Sequence, residues 1–159
     1  MIKDYSGKGV ARQGDVILFR LPDSIKVNLK NEIFPVNGRI ILLEGEMTGH
    51  HHAIDTLDQP MFDPTKTSKI VEDMLSKASG VTKAVARFFN DTETMQVLVN
   101  KQILTRTDLA IGILSVQGGG DVGVVLKHEE HDGIRLKAGN YYVGRQVESV
   151  GAEQRMVRD

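Results

Sequence analysis

The chain contains no cysteine and no tryptophan, and only four prolines. Without cysteine there is no disulfide framework and no thiolate nucleophile, so any metal has to be held by nitrogen and oxygen. An aromatic content of 5% leaves few rings on which bases or sugars could stack. Neither sign of charge dominates, the net being −1 at neutral pH, so no basic surplus argues for a nucleic-acid partner. No apolar run approaches the ~20 residues that a membrane-spanning helix needs. The opening segment MIKDYSGKGVARQGD has no apolar stretch of the secretory-signal kind, and a cytoplasmic or virion setting is expected. Two catalytic signatures are also missing. There is no Gly-x-Ser-x-Gly elbow, and the Gly-rich QGGGD has no Lys-Ser or Lys-Thr behind it, so it reads as a turn and not as a phosphate loop.

What is present is an ordinary globular composition, 40% hydrophobic and 26% charged over 159 residues, long enough for one domain with its own core. Residues 1–14 are polar and read as an arm. DVILFRL (15–21) has strand composition and leaves through the turn signal LPDS. EIFPVNGRIILLEGE reads as two strands around Asn37-Gly38, the pair best suited to a two-residue hairpin turn; the second strand is Arg39–Glu44. From Pro64 the period changes. Ile70, Val71, Met74, Leu75 and Ala78 recur at helical spacing between a Ser68 cap and a Gly80 stop. Val81, Ala84, Val85, Phe88 and Phe89 repeat that spacing. The stretch 92–104 carries both a helical stripe (Met95, Leu98, Val99, Ile103) and the strand-like Val97-Leu98-Val99; Asp91 and Thr92 as a cap favour helix. Beyond 107, LAIGILSV and VGVVLKH read as a hairpin around QGGGD, and GIRLKAGNYYVGRQVE as a second one. The expected fold is mainly β (α+β overall), a small jelly-roll or cupin-like barrel or sandwich. Its β halves are 15–63 and 107–148, a helical insertion spans 64–106, and arms lie at 1–14 and 149–159.

All five histidines fall in two groups, His50, His51 and His52 in EGEMTGHHHAI and His128 and His131 in VLKHEEHDG. Side chains alternate faces along a strand. If Ile54 is inward, His50 and His52 are inward and His51 is not; if Val122, Val124 and Leu126 are inward, so is His128. His-x-His on a strand presents two imidazoles on one face, which suits two neighbouring ligands of Zn, Fe, Mn, Ni or Cu. The candidate metal ligands are therefore His50, His52, His128 and His131, with Glu129 or Glu130 as alternatives to His131. The competing reading is a polar cluster that only pins loops. No residue is assigned a catalytic role, and carboxylate pairs such as Glu44 with Glu46, or Glu129 with Glu130, could do acid–base work but read more readily as solvated surface.

Two resemblances attach to these residues. Gly45, His50 and His52 resemble the first motif of the cupin superfamily, with IRLKAGNYYVGRQV as the turn and strand closing the barrel and Asp55 as the nearest acid to the glutamate of that motif. The likeness implies metal ligation at His50, His52 and His128, with His131 or Glu130 as a fourth ligand or base, in a small oxygenase or isomerase. Over more of the chain, RQGDVILFRLP, EGEMTGHHHAI, LKHEEHDGIRLKAGNYYVGRQVE and RMVRD are similar to small bacterial and tailed-phage proteins sharing a GH-H, HEEH and RQ-E pattern. By analogy with jelly-roll cement proteins of phage heads, this likeness implies a non-enzymatic decoration protein, a homotrimer docked on a lattice of major capsid protein through its arms. That is the preferred expectation, with the metal enzyme as the alternative.

Overall fold

The computed structural model describes residues 1–44, 50–55, 84–150 and 153–156. Its strands are β1 (Ile2–Asp4), β2 (Ala11–Gln13), β3 (Val16–Arg20), β4 (Glu32–Ile33), β5 (Arg39–Glu44), β6 (His51–Asp55), β7 (Val85–Phe89), β8 (Ala110–Gln117), β9 (Val124–Lys127), β10 (Gly133–Leu136), β11 (Gly139–Arg145), β12 (Val147–Val150) and β13 (Glu153–Met156). One described helix, α1 (Thr92–Asn100), lies between β7 and β8. A five-stranded sheet runs β1-β10-β9-β6-β5 and a six-stranded sheet β2-β3-β11-β8-β7-β4; among the described residues β12 and β13 form a separate two-stranded sheet. The chain is thus mainly β, with two sheets consistent with a sandwich. Among the described residues no helix is long and apolar enough to cross a membrane.

One core joins the two sheets. Ile40, Ile54, Leu126 and Leu136 of the five-stranded sheet meet Val16, Leu18, Phe88, Leu114 and Val143 of the six-stranded one. A second, smaller core lies on the outer face of the larger sheet, where Met95 and Leu98 of α1 cover Leu21, Ile113 and Tyr142. Strand alternation divides β8 and β11 between the two: Leu114, Val116, Tyr141 and Val143 point to the main core, Ile113 and Tyr142 to the helix. This explains why LAIGILSV is apolar on both faces apart from Ser115, since both faces are covered.

Several expected elements are placed differently. Residues 1–14 are not a free arm: β1 pairs parallel with β10 and β2 antiparallel with β3. The stretch around Val85–Phe89 is a strand paired with β8, not a helix, and uses period two: Ala86 and Phe88 are buried in the main core while Arg87 ion-pairs with Glu32. The helix favoured after Asp91 is present as α1. The helix expected over 68–79, the rest of 64–83, and Gly45 of the cupin-like motif lie outside the described residues.

The hairpin expectations hold for the turns at Asn37-Gly38 and QGGGD and fail for the partners; in GIRLKAGNYYVGRQVE the expected turn at Ala138-Gly139-Asn140 fails too, because Gly139 and Asn140 already belong to β11. Asn37 and Gly38 have φ of 52° and 75°, and Val36 and Arg39 exchange two backbone hydrogen bonds across them. Yet β4 pairs with β7, in the other sheet from β5. Likewise β8 and β9, and β10 and β11, lie in opposite sheets. Gly118, Gly119, Gly120 and Gly123, all with positive φ, carry the chain between sheets. A Cβ at Gly123 would sit 2.1 Å from the Leu136 carbonyl oxygen, so nothing larger fits where this crossing meets the end of β10. Crossing lets Val124 and Leu126 face Leu114 and Val116 across the core, where a flat hairpin would have set them side by side.

Candidate functional site

The two histidine groups meet because β6 and β9 are neighbours. Their antiparallel register pairs Ala53 with Lys127 and Ile54 with Leu126. Continued past the strand ends, it sets His52 against His128, His51 against Glu129 and His50 against Glu130. The side chains agree: the His52 and His128 rings lie 4.3 Å apart, the His51 N–H donates to Glu129 Oε2 at 2.9 Å, and His50 Nδ1 is 3.5 Å from Glu130 Oε1. His128 also sits edge-on to His50 at 5.6 Å, and 4.6 Å from His131. Parity is as expected, with His52 and Ile54 buried, His128 9% exposed and His51 half-buried. Val122, assigned the same parity, lies in the turn before β9 and is exposed.

His52 is fully buried, and both of its ring nitrogens are engaged: Nδ1 with Gln13 Oε1 at 2.8 Å and Nε2 with Asp15 Oδ1 at 3.0 Å. The Gln13 amide nitrogen donates to the Leu126 and Asp132 carbonyls, which orients the amide and leaves its oxygen as the acceptor facing His52. Nδ1 is then the donor to Gln13, while Nε2 faces the Asp15 carboxylate at 3.0 Å. Both ring nitrogens are thus turned to protein partners. The structure therefore brings His52 into the cluster as the floor of the site, a different place from the ligand position expected for it.

The set that can ligate is His50, His128 and Glu129, whose donor atoms all lie within 4.8 Å of one another. His131, the remaining candidate, is exposed and beside His128. Burial alone would raise the Glu129 carboxyl, but the His51 N–H and the nearby His128 and His50 rings outweigh it and hold it below the usual carboxylate range. It is an anion at neutral pH, as a ligand must be. His128 Nδ1 accepts the Glu130 N–H at 3.1 Å. An imidazole that binds a metal through Nε2 carries its proton on Nδ1, and one that binds through Nδ1 has no lone pair left there. Either mode displaces the Glu130 N–H.

Asp55, the nearest acid to the cupin glutamate position, is on the opposite face of β6 from His52. There it bonds Arg39 Nε at 3.0 Å and Lys127 Nζ at 2.9 Å, and it takes no part in the site. Sequence reasoning missed Gln13 and Asp15. Their only local signal is RQGD, where Gly14 with φ of 56° makes the turn between β2 and β3; nothing in that signal points to a histidine 37 positions away from Asp15.

Residues 12–146 match the model of a family described as a domain of unknown function (DUF8820), a span that includes each residue of this site. No curated protein and no solved structure matches the chain.

Proposed function

We propose, for a chain that belongs to the DUF8820 domain family, a metal-binding function in which His50, His128 and Glu129 hold one divalent transition-metal ion. The observation that carries the reading is the convergence of two imidazoles and a carboxylate at the shared end of β6 and β9. With no thiolate available, that nitrogen and oxygen set suits Zn, Fe, Mn or Ni. Two histidines and one carboxylate leave coordination positions for water, a substrate or His131. An ion there lowers the pKa of bound water, the chemistry a small hydrolytic or oxygenase-type centre draws on. The set departs from the cupin-like one, because His52 is replaced as a ligand by Glu129.

The test is titration of chelator-stripped protein with Zn, Mn, Ni and Fe(II) by calorimetry. One ion binds per chain, and His128→Ala weakens binding on the order of a thousandfold, since structural zinc affinities of ~10–16 kcal/mol are shared among few ligands. Absence of stoichiometric binding by all four ions overturns the reading.

A second reading, the non-enzymatic decoration protein of a phage head, is supported by a separate feature. Leu29, Ile33, Phe34 and Val36 are exposed together around β4, an edge strand of the larger sheet. Apolar surface clustered on an edge suits contact with a protein partner. Its test is the mass in solution and co-sedimentation with capsids. A monomer that never associates with them refutes it, together with the virion location and the trimer that go with it.

A further inference from the structure

Gln13 stands outside any ligand set, yet it touches both halves of the site. It is 2% exposed, and its side-chain nitrogen donates to the Leu126 carbonyl at 3.0 Å and to the Asp132 carbonyl at 2.9 Å. Those two carbonyls bracket residues 127–131, the segment that carries His128, Glu129 and His131. One NH2 group therefore closes the base of the HEEH turn. The oxygen of the same amide receives the His52 N–H at 2.8 Å, on the strand that continues back to His50. We infer that Gln13 is a positioning residue for a transition-metal centre: a single buried amide that clasps the turn bearing His128 and Glu129 and ties it to the strand bearing His50.

The chemistry of the clasp is specific to an amide. Two donors on one atom and an acceptor on the next satisfy two carbonyls and one imidazole N–H at once. Glutamate of the same size would turn an oxygen toward two carbonyl oxygens, and methionine of similar volume would satisfy none of the three. Asp15 completes the arrangement from the other side, binding His52 Nε2 at 3.0 Å, while its own backbone carbonyl accepts the Gln146 N–H at 2.8 Å. The tight turn at Gly14 is what lets Gln13 and Asp15 grip one ring from two sides. Groups that orient ligands in this way typically change metal affinity by about 10- to 100-fold when removed.

This inference rests on the metal reading above, and the experiment separates the two. Cobalt(II) is titrated into wild-type, Gln13→Met and Gln13→Glu chains, with the visible d–d spectrum and the Kd recorded alongside far-UV circular dichroism. Wild type binds one Co(II). The variants that remain folded bind it about 10- to 100-fold more weakly, with a shifted spectrum that reports altered ligand geometry. Folded variants with wild-type Kd and spectrum overturn the positioning role while leaving the metal centre standing. A wild-type chain that takes up no Co(II) overturns the metal reading and the inference with it. Should neither variant fold, wild type alone decides: the Gln13 side-chain NH2 resonances are protected from exchange and shift on Co(II) binding, and unprotected, unmoved resonances refute the clasp.

Discussion

Replacing His52 by leucine probes the floor of the site directly. The side chain is fully buried, and its two nitrogens serve Gln13 Oε1 and Asp15 Oδ1. Leucine fills a comparable volume, so no large cavity opens and the loss is electrostatic. Gln13 Oε1 becomes a buried acceptor without a donor, a cost of about 1–3 kcal/mol. Asp15 loses this one hydrogen bond too, but its side chain is 14% exposed and water recovers part of it, leaving about 1 kcal/mol. Leucine's extra apolar burial offsets a fraction, and a net loss of about 2–3 kcal/mol remains. For a chain of this size about 2–4 °C accompanies each kcal/mol, so Tm falls by about 5–10 °C. Urea and thermal unfolding, both in chelator so that bound metal contributes nothing, measure it. A loss below about 0.5 kcal/mol, the range of surface substitutions, refutes the hydrogen-bond reasoning. Pairing the change with Asp15→Asn adds a control: two substitutions on one hydrogen bond are non-additive by about 0.5–3 kcal/mol, and strict additivity means the contact contributes nothing.

Three further outcomes follow from the same geometry. In metal titrations followed by amide NMR, the Glu130 N–H shifts more than its exposed surroundings, because either ligation mode of His128 displaces it; a resonance unmoved at saturation argues against His128 as a ligand. Asp91→Ala removes a buried cap that accepts the Thr94 N–H at 3.0 Å and the Asn28 N–H at 2.9 Å, and costs about 2–3 kcal/mol in chemical denaturation; a cost under about 0.5 kcal/mol contradicts it. Asp55 titrates below its ordinary 3.8, chiefly through the Lys127 hydrogen bond, with burial opposing and Arg39 assisting. A depressed carboxyl stabilises the fold above its unfolded value and loses that contribution as pH falls through the folded one. Lys127→Met therefore raises the Asp55 pKa toward 3.8 in NMR titration and flattens the acid limb of the stability curve; an unshifted Asp55 refutes the assignment.

The site was half legible in the chain. Parity along HHHAI and VVLKH placed His50, His52 and His128 on inward faces, because alternation is a local property of extended backbone and both segments have the apolar neighbours that set it. Glu129 was visible as an alternative ligand beside His128. That His52 is turned to Gln13 and Asp15 was not visible, since those residues reach it from a hairpin 39 and 37 positions away. The same limit applies to Phe88 and Phe89. Their spacing satisfies a helical stripe and a strand equally well, and the backbone of β8 decided for the strand.

The amino-acid sequence by itself determined the β-rich character, the tight turns at Asn37-Gly38 and through the 118–123 glycines, the cap of α1 and the inward faces of β6 and β9. Each depends on neighbours within a few residues, through positive-φ tolerance, capping hydrogen bonds or period-two alternation. Only the tertiary structure decided which strands pair and which histidines meet. Those outcomes require Val124 and Leu126 to cross the core from β8, β6 to lie beside β9, and one buried amide to join residues more than a hundred positions apart. No local pattern encodes them, because the energies that choose them come from covering faces and satisfying buried polar atoms after the sheets have met.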